Sequence, residues 1–171
     1  REEDAPPLFF DDLESGPGDW TTFVNDANNN TQWELGTPNG TSGPLTGADG
    51  SPNAWCTNLG DFGSDSDISL RSPAIDLSDL TAAELSFEAY RDGDGFDDTA
   101  TIRFLRAGDQ VQLGADLPID MVPFDSDWVN LRFDVVPEAV GENILIEINF
   151  VSSADQEFSG LSIDNVSVSA K

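Results

Sequence analysis

Four segments of the chain alternate apolar and polar residues with a period of two, the spacing of a strand that buries one face. Their apolar members are Leu85, Phe87 and Ala89; Ile102 and Phe104; Val129, Leu131, Phe133 and Val135; and Ile144, Ile146, Ile148 and Phe150. Four such faces are enough for the inner layer of two packed sheets. Between the apolar segments lie clusters of Gly, Pro, Asn, Asp and Ser, which favour turns. The sequence therefore predicts an all-β sandwich.

The same two signals, alternating apolar residues and turn-forming clusters, predict the other strands. The predicted strands are Leu8–Glu14, Thr21–Val24, Gln32–Leu35, Ala54–Asn58, Ile68–Ser72, Glu84–Arg91, Thr99–Arg106, Val111–Leu113, Trp128–Val136, Ile144–Val151 and Leu161–Ser169. The best helical candidate is Asp76–Leu85, although a strand follows it at once. The stretch Gly36–Pro52 is too rich in Gly, Pro and Ser for regular structure, so we expect a long loop that is functional or pinned by other residues.

The last predicted strand contains a phase slip. Leu161 and Ile163 lie two residues apart, whereas Val166 and Val168 have the opposite parity. The change of phase falls at Asp164–Asn165, which predicts a β-bulge that turns the aspartate away from the alternating pattern.

A chain of 171 residues predicts one domain, which we place at residues 8–171 after a flexible segment at residues 1–7. It has no apolar run of the length needed to cross a bilayer, so membrane insertion is not expected. Its net charge of −26 repels nucleic acid and anionic lipid. Such a surface is typical of a marine or salt-adapted secreted protein, and it also offers oxygen ligands for Ca²⁺.

The scarcity of the usual catalytic residue types disfavours catalysis. The chain has no His, one Cys, one Tyr and one Lys, so most general-base and nucleophile arrangements are missing. A carboxylate pair that hydrolyses glycosides remains an alternative. With 33 acidic residues, however, the closeness of two of them carries little information. We expect no catalytic residues, and we expect Cys56 to be a small buried hydrophobic residue.

Acidic residues form two candidate metal sites. The first is the turn Arg91–Asp98, with Asp92, Asp94, Asp97 and Asp98, which is also ordinary hairpin-turn chemistry. The second joins the two ends of the chain, Phe9–Gly16 and the strand that carries Asp164.

The motifs "WELG", "GPLTGADG", "AWCTNL", "SPAIDLS", "LSFEAY" and the terminal "IDNV", in this order, resemble MAM-type jelly-roll domains. They are more similar to the bacterial MAM-like accessory domains of secreted peptidases and surface-anchored proteins, and the resemblance covers about Leu8 to Ala170. Jelly-roll carbohydrate-binding modules share the terminal motif. The resemblance implies a jelly-roll β-sandwich of two antiparallel sheets, in a bacterial protein that is secreted or at the cell surface.

The resemblance also implies a structural Ca²⁺ between the first and last strands. Carried over by position, the ligands are Glu14, Asp49 and Asp164, with Asp12 and Asp26 as less secure candidates. The sequence departs from the family pattern where Glu88 replaces an aromatic residue and Cys56 replaces a glycine.

Aromatic residues provide the hypothesis for a ligand, because carbohydrate-binding modules stack sugar rings on exposed aromatic side chains. Trp33 and Trp55 flank the long loop, and the parity of Tyr90 places it opposite Phe87. These three are the candidate ligand-binding residues, although most large aromatics in a sandwich belong to the core. The leading hypothesis is a non-catalytic module of a larger multidomain protein that binds a polysaccharide or cell-surface glycan, or mediates adhesion. The alternative is a structural spacer beside a secreted hydrolase, with no ligand of its own.

Overall fold

Residues 6–155 and 157–171 are described by the computed structural model. The expected flexibility of Arg1–Ala5 lies outside the described residues. The strands are β1 (Phe9–Asp11), β2 (Thr21–Val24), β3 (Trp33–Gly36), β4 (Ala54–Thr57), β5 (Asp67–Arg71), β6 (Ile75–Asp76), β7 (Ala83–Asp92), β8 (Thr99–Arg106), β9 (Gln112–Ile119), β10 (Val129–Asp134), β11 (Asn143–Val151) and β12 (Gly160–Ala170). The all-β prediction is confirmed.

The strands form two antiparallel sheets. The front sheet has the order β10-β7-β12-β4-β3, with β1 paired to β12, and the back sheet has the order β2-β5-β11-β8-β9, with β6 paired to β11. The predicted apolar faces meet between the sheets. Phe87, Phe104 and Phe150 are fully buried, whereas Leu131 and Phe133 of the edge strand β10 are only partly buried.

Two local predictions differ from the structure. Asp76–Leu85 is not a helix, because Asp76 ends β6 and Ala83 already begins β7. The predicted strand Val111–Leu113 overlaps the start of a longer strand, Gln112–Ile119. The β-sheet extends there through Gly114 and Pro118, two residues that sequence patterns read as strand breakers.

The predicted bulge in β12 is present. The register of β12 against β7 shifts between Asp164 and Ser167, and Asn165 has a positive φ of 48°. Because of the shift, Leu161 and Ile163 before the bulge and Val166 and Val168 after it all lie in the core. The bulge therefore lets a single strand bury odd-numbered residues before it and even-numbered residues after it.

The outer face of the back sheet is closed by its own side chains. Glu147 accepts hydrogen bonds from Arg71 Nε at 2.8 Å and Arg103 Nη1 at 3.2 Å, and it is 5% exposed. Arg103 also pairs with Asp116, at 3.0 Å. Asn149 donates to Asp67 Oδ1 at 2.8 Å and to Ser69 Oγ at 3.1 Å. These polar side chains therefore have partners within the face.

Candidate functional site

The long loop between β3 and β4 packs on the outer face of the front sheet. It first contacts the start of β12, where the amide groups of Ser42 and Gly43 donate to Ser159 Oγ at 3.1 and 2.7 Å. It then contacts the bulge, where the Ala48 amide donates to Asp164. The cover explains why Cys56 and Ser162, which point outward from β4 and β12, are nevertheless buried.

Carboxylates hold this loop in place. Asp61 accepts two hydrogen bonds from Thr41, Asp92 accepts one from the Ser42 hydroxyl at 2.6 Å, and Glu14 accepts one from the Asn53 amide at 3.1 Å. The expectation that the loop is pinned is confirmed, and the described contacts that pin it are hydrogen bonds to acidic side chains.

Asp164 is the most deeply placed of these acids, with no exposed surface. Its Oδ2 accepts hydrogen bonds from the Ala48 amide at 2.9 Å and from the Ser51 hydroxyl at 3.0 Å, and its Oδ1 accepts one from the Asn165 amide at 2.8 Å. Burial raises the pKa of Asp164, with a smaller contribution from the charge of Glu14. The loop packs so closely here that a Cβ on Gly47 would lie 2.8 Å from Asp164 Oδ2.

The predicted metal ligands are only partly brought together. Glu14 and Asp164 both contact the segment Gly47–Asn53, and Asp49 lies in the same segment with an exposed side chain. Asp12 is exposed and accepts a hydrogen bond from the Glu14 amide at 3.1 Å. Asp26 lies elsewhere, because its carboxylate accepts the amides of Asn28, Asn29 and Asp67 beside the back sheet. The hydrogen bond from the Asp67 amide is the main reason that the pKa of Asp26 is lowered.

Within residues 6–155 and 157–171, no group of three or more His, Cys, Asp and Glu side chains is arranged to hold a metal ion. Two carboxylates, Glu14 and Asp164, remain at the predicted position, and the pKa of Asp164 is raised mainly by burial and, to a smaller extent, by the charge of Glu14. Ca²⁺ also accepts carbonyl and hydroxyl oxygens. The Ala48 carbonyl and the Ser51 hydroxyl are oxygens of this kind beside Asp164. The donor set therefore fits Ca²⁺ in chemistry, with two charged ligands rather than five.

The acidic turn Arg91–Asp98 uses its buried carboxylates as hydrogen-bond acceptors. Asp98, which is 2% exposed, accepts the amides of Asp94 at 2.7 Å and Ser153 at 2.9 Å. Asp92 accepts the Ser159 amide at 3.1 Å. Burial raises the pKa of Asp98. These bonds join the turn to the loop between β11 and β12.

Trp33 and Trp55 are not exposed sugar platforms. They are 3% and 4% exposed, because their positions in β3 and β4 point into the sandwich. The expectation that either one forms an exposed platform is wrong. The residues that follow them, Glu34 in β3 and Cys56 in β4, point outward and are paired across the two strands. Burial raises the pKa of Cys56 to about 12, so its thiol is unreactive, as expected from its apolar neighbours.

Tyr90 lies on the open half of the front sheet. Its half-buried ring contacts Trp128 in an edge-to-face pair, with ring centroids 5.8 Å apart. Burial is the main cause of a raised pKa for Tyr90, so at neutral pH the hydroxyl is a neutral hydrogen-bond donor. The pair forms one end of a strip along the outer face of β7 and β10.

A groove continues the strip away from Tyr90. It has a volume of about 700 Å³. It is lined by Pro6, Pro7, Phe10, Ser86, Glu88, Asn130, Asn165 and Ser167. The floor is polar, and the wall from the N-terminal segment is apolar. Asn165 comes from the bulge, so the irregularity that buries Asp164 also brings an amide side chain to the groove.

The polar groups of the groove are weakly engaged with one another. Asn130 Nδ2 lies 3.5 Å from both Ser86 Oγ and Glu88 Oε1, at the outer limit of hydrogen bonding. Its Oδ1 accepts a shorter bond of 2.9 Å from Arg132 Nε. A ligand hydroxyl would therefore replace poor hydrogen bonds rather than good ones. Together, the Tyr90–Trp128 pair and the groove define the open strip.

Sequence reasoning identified Tyr90 but missed the rest of the open strip. Its residues carry a signal, since Ser86, Glu88 and Tyr90 share the outward parity of β7. The sequence pattern does not show which of the outward-facing residues are covered by the long loop. That depends on contacts between residues more than 100 positions apart, such as Ala48 with Asp164.

No protein-family model matches the chain, and no curated protein matches its sequence. Solved structures share its fold. A cleaved adhesin domain of Lys-gingipain from Porphyromonas gingivalis aligns with a TM-score of 0.62 and 17% identity, over 95% of this chain and 98% of that domain. A carbohydrate-binding module of family 61, solved with β-1,4-galactotriose, aligns with a TM-score of 0.58 and 13% identity, over 93% and 94% of the two chains. A xylan-binding domain of family 22 aligns with a TM-score of 0.54 and 13% identity, over 98% and 96%.

These similarities establish the β-sandwich fold of carbohydrate-binding modules and adhesin domains. The narrower MAM-like label stays a prediction. In the part of the chain that the structure describes, no helix has the length and hydrophobicity needed to cross a membrane.

Proposed function

We propose that the protein is a non-catalytic module that binds a glycan through the open strip. The observation that carries the proposal is the combination, on one uncovered sheet face, of an aromatic pair with a groove of weakly bonded polar groups. Sugar rings present apolar faces that stack on aromatic side chains and hydroxyl groups that bond to amides and carboxylates. The open strip offers both kinds of group.

The fold supports this proposal. Two of the similar modules bind β-1,4-galactotriose and xylan, and the similar Lys-gingipain domain is an adhesin domain. All three align with nearly the whole of this chain, so the comparison concerns the complete sandwich.

The negative charge of the groove and of the whole chain limits the kind of polysaccharide that can bind. The groove contains the Glu88 carboxylate, and the chain carries a net charge of −26. Uronate-rich or sulfated polysaccharides would be repelled by this field. We therefore expect a neutral polysaccharide rather than an acidic one.

The test is native affinity electrophoresis in gels that contain galactan, xylan, other neutral polysaccharides or an acidic polysaccharide. Retardation by a neutral polymer is expected, and it should be lost in Tyr90→Ala and Trp128→Ala. Phe23→Ala is the matched control, because Phe23 is an aromatic residue of the back sheet, 41% exposed. Melting curves of each variant separate loss of binding from loss of folding. No retardation across the panel would favour a spacer without a ligand.

The site that joins the chain ends is proposed to bind Ca²⁺ as a structural ion. Glu14 and Asp164 would supply the charged ligands, and the ion would offset the repulsion between them. Asp49 and Asp12 lie near enough along the chain to remain candidates, whereas the amide contacts of Asp26 give it a different role. EDTA is expected to lower the melting temperature and Ca²⁺ to restore it, because an ion that binds only the folded state stabilises it. A melting temperature that responds to neither would reject the ion.

The cellular setting follows from the same comparisons and stays a proposal. We propose a secreted or cell-surface location within a larger multidomain protein, since the similar domains include parts of longer proteins such as Lys-gingipain.

A further inference from the structure

Large apolar side chains are exposed together at one end of the sandwich. Phe96, Val122 and Phe124 are 87%, 51% and 62% exposed, and they lie in the loops that follow β7 and β9. The two loops touch, because a Cβ on Gly95 would lie 2.2 Å from Val122 Cα. Phe124 packs edge-to-face on Phe158, with ring centroids 5.7 Å apart. We call Phe96, Val122, Phe124 and Phe158 the end patch.

The loop that carries Phe96 is held in position by short hydrogen bonds. The Asp98 amide donates to the Asp94 carbonyl at 2.7 Å, and the Asp94 amide donates back to the Asp98 carboxylate at 2.7 Å. The same carboxylate anchors the turn to Ser153. Phe96 is therefore displayed on a fixed turn.

The loop that carries Val122 and Phe124 is anchored to β7. Arg91 forms a bidentate ion pair with Asp125, with Nε–Oδ2 at 2.8 Å and Nη2–Oδ1 at 3.1 Å. The Arg91 amide also donates to Asp125 Oδ2, at 2.8 Å. A bidentate pair of this kind, only 12% and 7% exposed, fixes the loop in one geometry. Anchored aromatic side chains lose little conformational freedom when a partner covers them.

Exposed carboxylates belong to the same loops. They are Asp97, Asp120, Asp127, Asp155 and Glu157. Their charges disfavour a second copy of this chain as the partner, since each copy carries −26, and they disfavour an anionic membrane for the same reason. An occupant that complements both features carries apolar side chains flanked by Lys or Arg.

We propose that the end patch is a docking surface for a basic, amphipathic polypeptide segment of another protein or domain. Its apolar side chains would pack on Phe96 and Phe124, and its cationic side chains would pair with the surrounding acids. The end patch shares no residue with the open strip, which it adjoins at Trp128 in the loop that also carries Phe124, and the proposal does not depend on glycan binding.

The probe is a synthetic peptide that alternates Lys with Leu or Phe, measured by fluorescence anisotropy at low and at physiological salt. A Lys/Ser peptide of equal charge measures attraction to the net charge alone. The amphipathic peptide is expected to bind at least about tenfold more tightly than the Lys/Ser peptide, and the excess should persist at the higher salt because apolar contact is not screened.

The double variant Phe96→Ser/Phe124→Ser should lose this excess while it keeps the salt-sensitive binding of the Lys/Ser peptide. Phe23→Ser, at an exposed phenylalanine of the back sheet, should keep both. Equal affinities for the two peptides, or an equal loss in both variants, would overturn the proposal. A loss of polysaccharide retardation in the double variant would instead assign the end patch to the glycan. Sedimentation that detects dimers of the wild type and none of the double variant would assign it to a second copy.

Discussion

Asn130 and Asn149 lie on the outer faces of opposite sheets, and their surroundings differ in a way that bears on function. Asn149 is 6% exposed, and its amide nitrogen donates to Asp67, Ile68 and Ser69 at 2.8 to 3.2 Å. Asn130 is exposed, and its amide nitrogen has only two contacts of 3.5 Å. One asparagine completes a closed network, and the other is available to a ligand.

The same difference extends over the two faces. On the back sheet, Arg71 and Arg103 both pair with Glu147, and Asp116 supplies the second carboxylate that balances the two positive charges. On the front sheet, the long loop satisfies the polar groups around Ser159 and Asp164, and it leaves open the groove over β7, β10 and the part of β12 after the bulge. The presence of polar side chains on a face therefore does not by itself identify a binding face. A face with unsatisfied hydrogen-bonding capacity beside an aromatic pair is the better indicator.

The largest expected effect concerns the covered half of the front sheet. Asp164→Ala should lower the free energy of unfolding by about 3 kcal/mol, because the amides of Ala48 and Asn165 lose a buried acceptor. Urea denaturation of the variant and the wild type in EDTA measures the difference. Ser51→Ala is the control, with an expected loss of about 1 kcal/mol. Equal losses in the two variants would show that Asp164 does not hold the loop.

The next effect concerns the closed back face. Glu147→Ala should cost about 2 kcal/mol, because it removes the one carboxylate shared by two partly buried arginines. Asp116→Ala removes the exposed partner of Arg103 and should cost less than about 1 kcal/mol. Polysaccharide retardation should be unchanged in both. A loss of retardation in Glu147→Ala would place the ligand on the back sheet and contradict the assignment of the binding face to the front sheet.

The pH dependence of stability is a smaller effect, and it reports directly on the protonation of Asp164. The pKa of Asp164 in the folded state is raised above its unfolded value near 3.8, so the folded state binds the proton more tightly. In EDTA, the stability of the wild type relative to Asp164→Asn should therefore increase as the pH falls through the folded pKa towards 3.8. In Ca²⁺ the sign should reverse, since the metal needs the deprotonated carboxylate. Denaturation curves from pH 7 down to pH 3 in each buffer measure both slopes, and a flat difference in EDTA would contradict the raised pKa.

The alternation of apolar residues was enough to predict the fold, because each inward face is local information. It placed Ile146 and Phe150 in the core, and the parity change located the bulge at Asp164. The candidate site was predicted only in part. Trp33 and Trp55 lie next to the long loop in sequence, but their parity in β3 and β4 turns them inward. The open strip depends on where that loop lies, and this is fixed by distant carboxylates rather than by any local pattern.

The smallest effect on stability comes from the residue that best separates the two faces. Asn130→Ala should change the free energy of unfolding by no more than about 0.5 kcal/mol, because the contacts of its amide nitrogen are long and its 2.9 Å bond from Arg132 is solvent-exposed. It should nevertheless weaken polysaccharide retardation about three- to tenfold, the value of one or two hydrogen bonds to a ligand.

Asn149→Ala is the matched control, with the opposite pattern. It should cost about 1 to 2 kcal/mol, because the buried Ile68 carbonyl loses a donor and Asp67 and Ser69 keep only the donor of Asn25, and it should leave retardation unchanged. If both variants lost stability and neither lost binding, Asn130 would belong to a closed network as Asn149 does. The two faces would then be equivalent, and the aromatic pair alone would remain to mark the site. If the opposite patterns are found, the difference in hydrogen-bond satisfaction between the two asparagines is sufficient to locate the ligand on the front sheet.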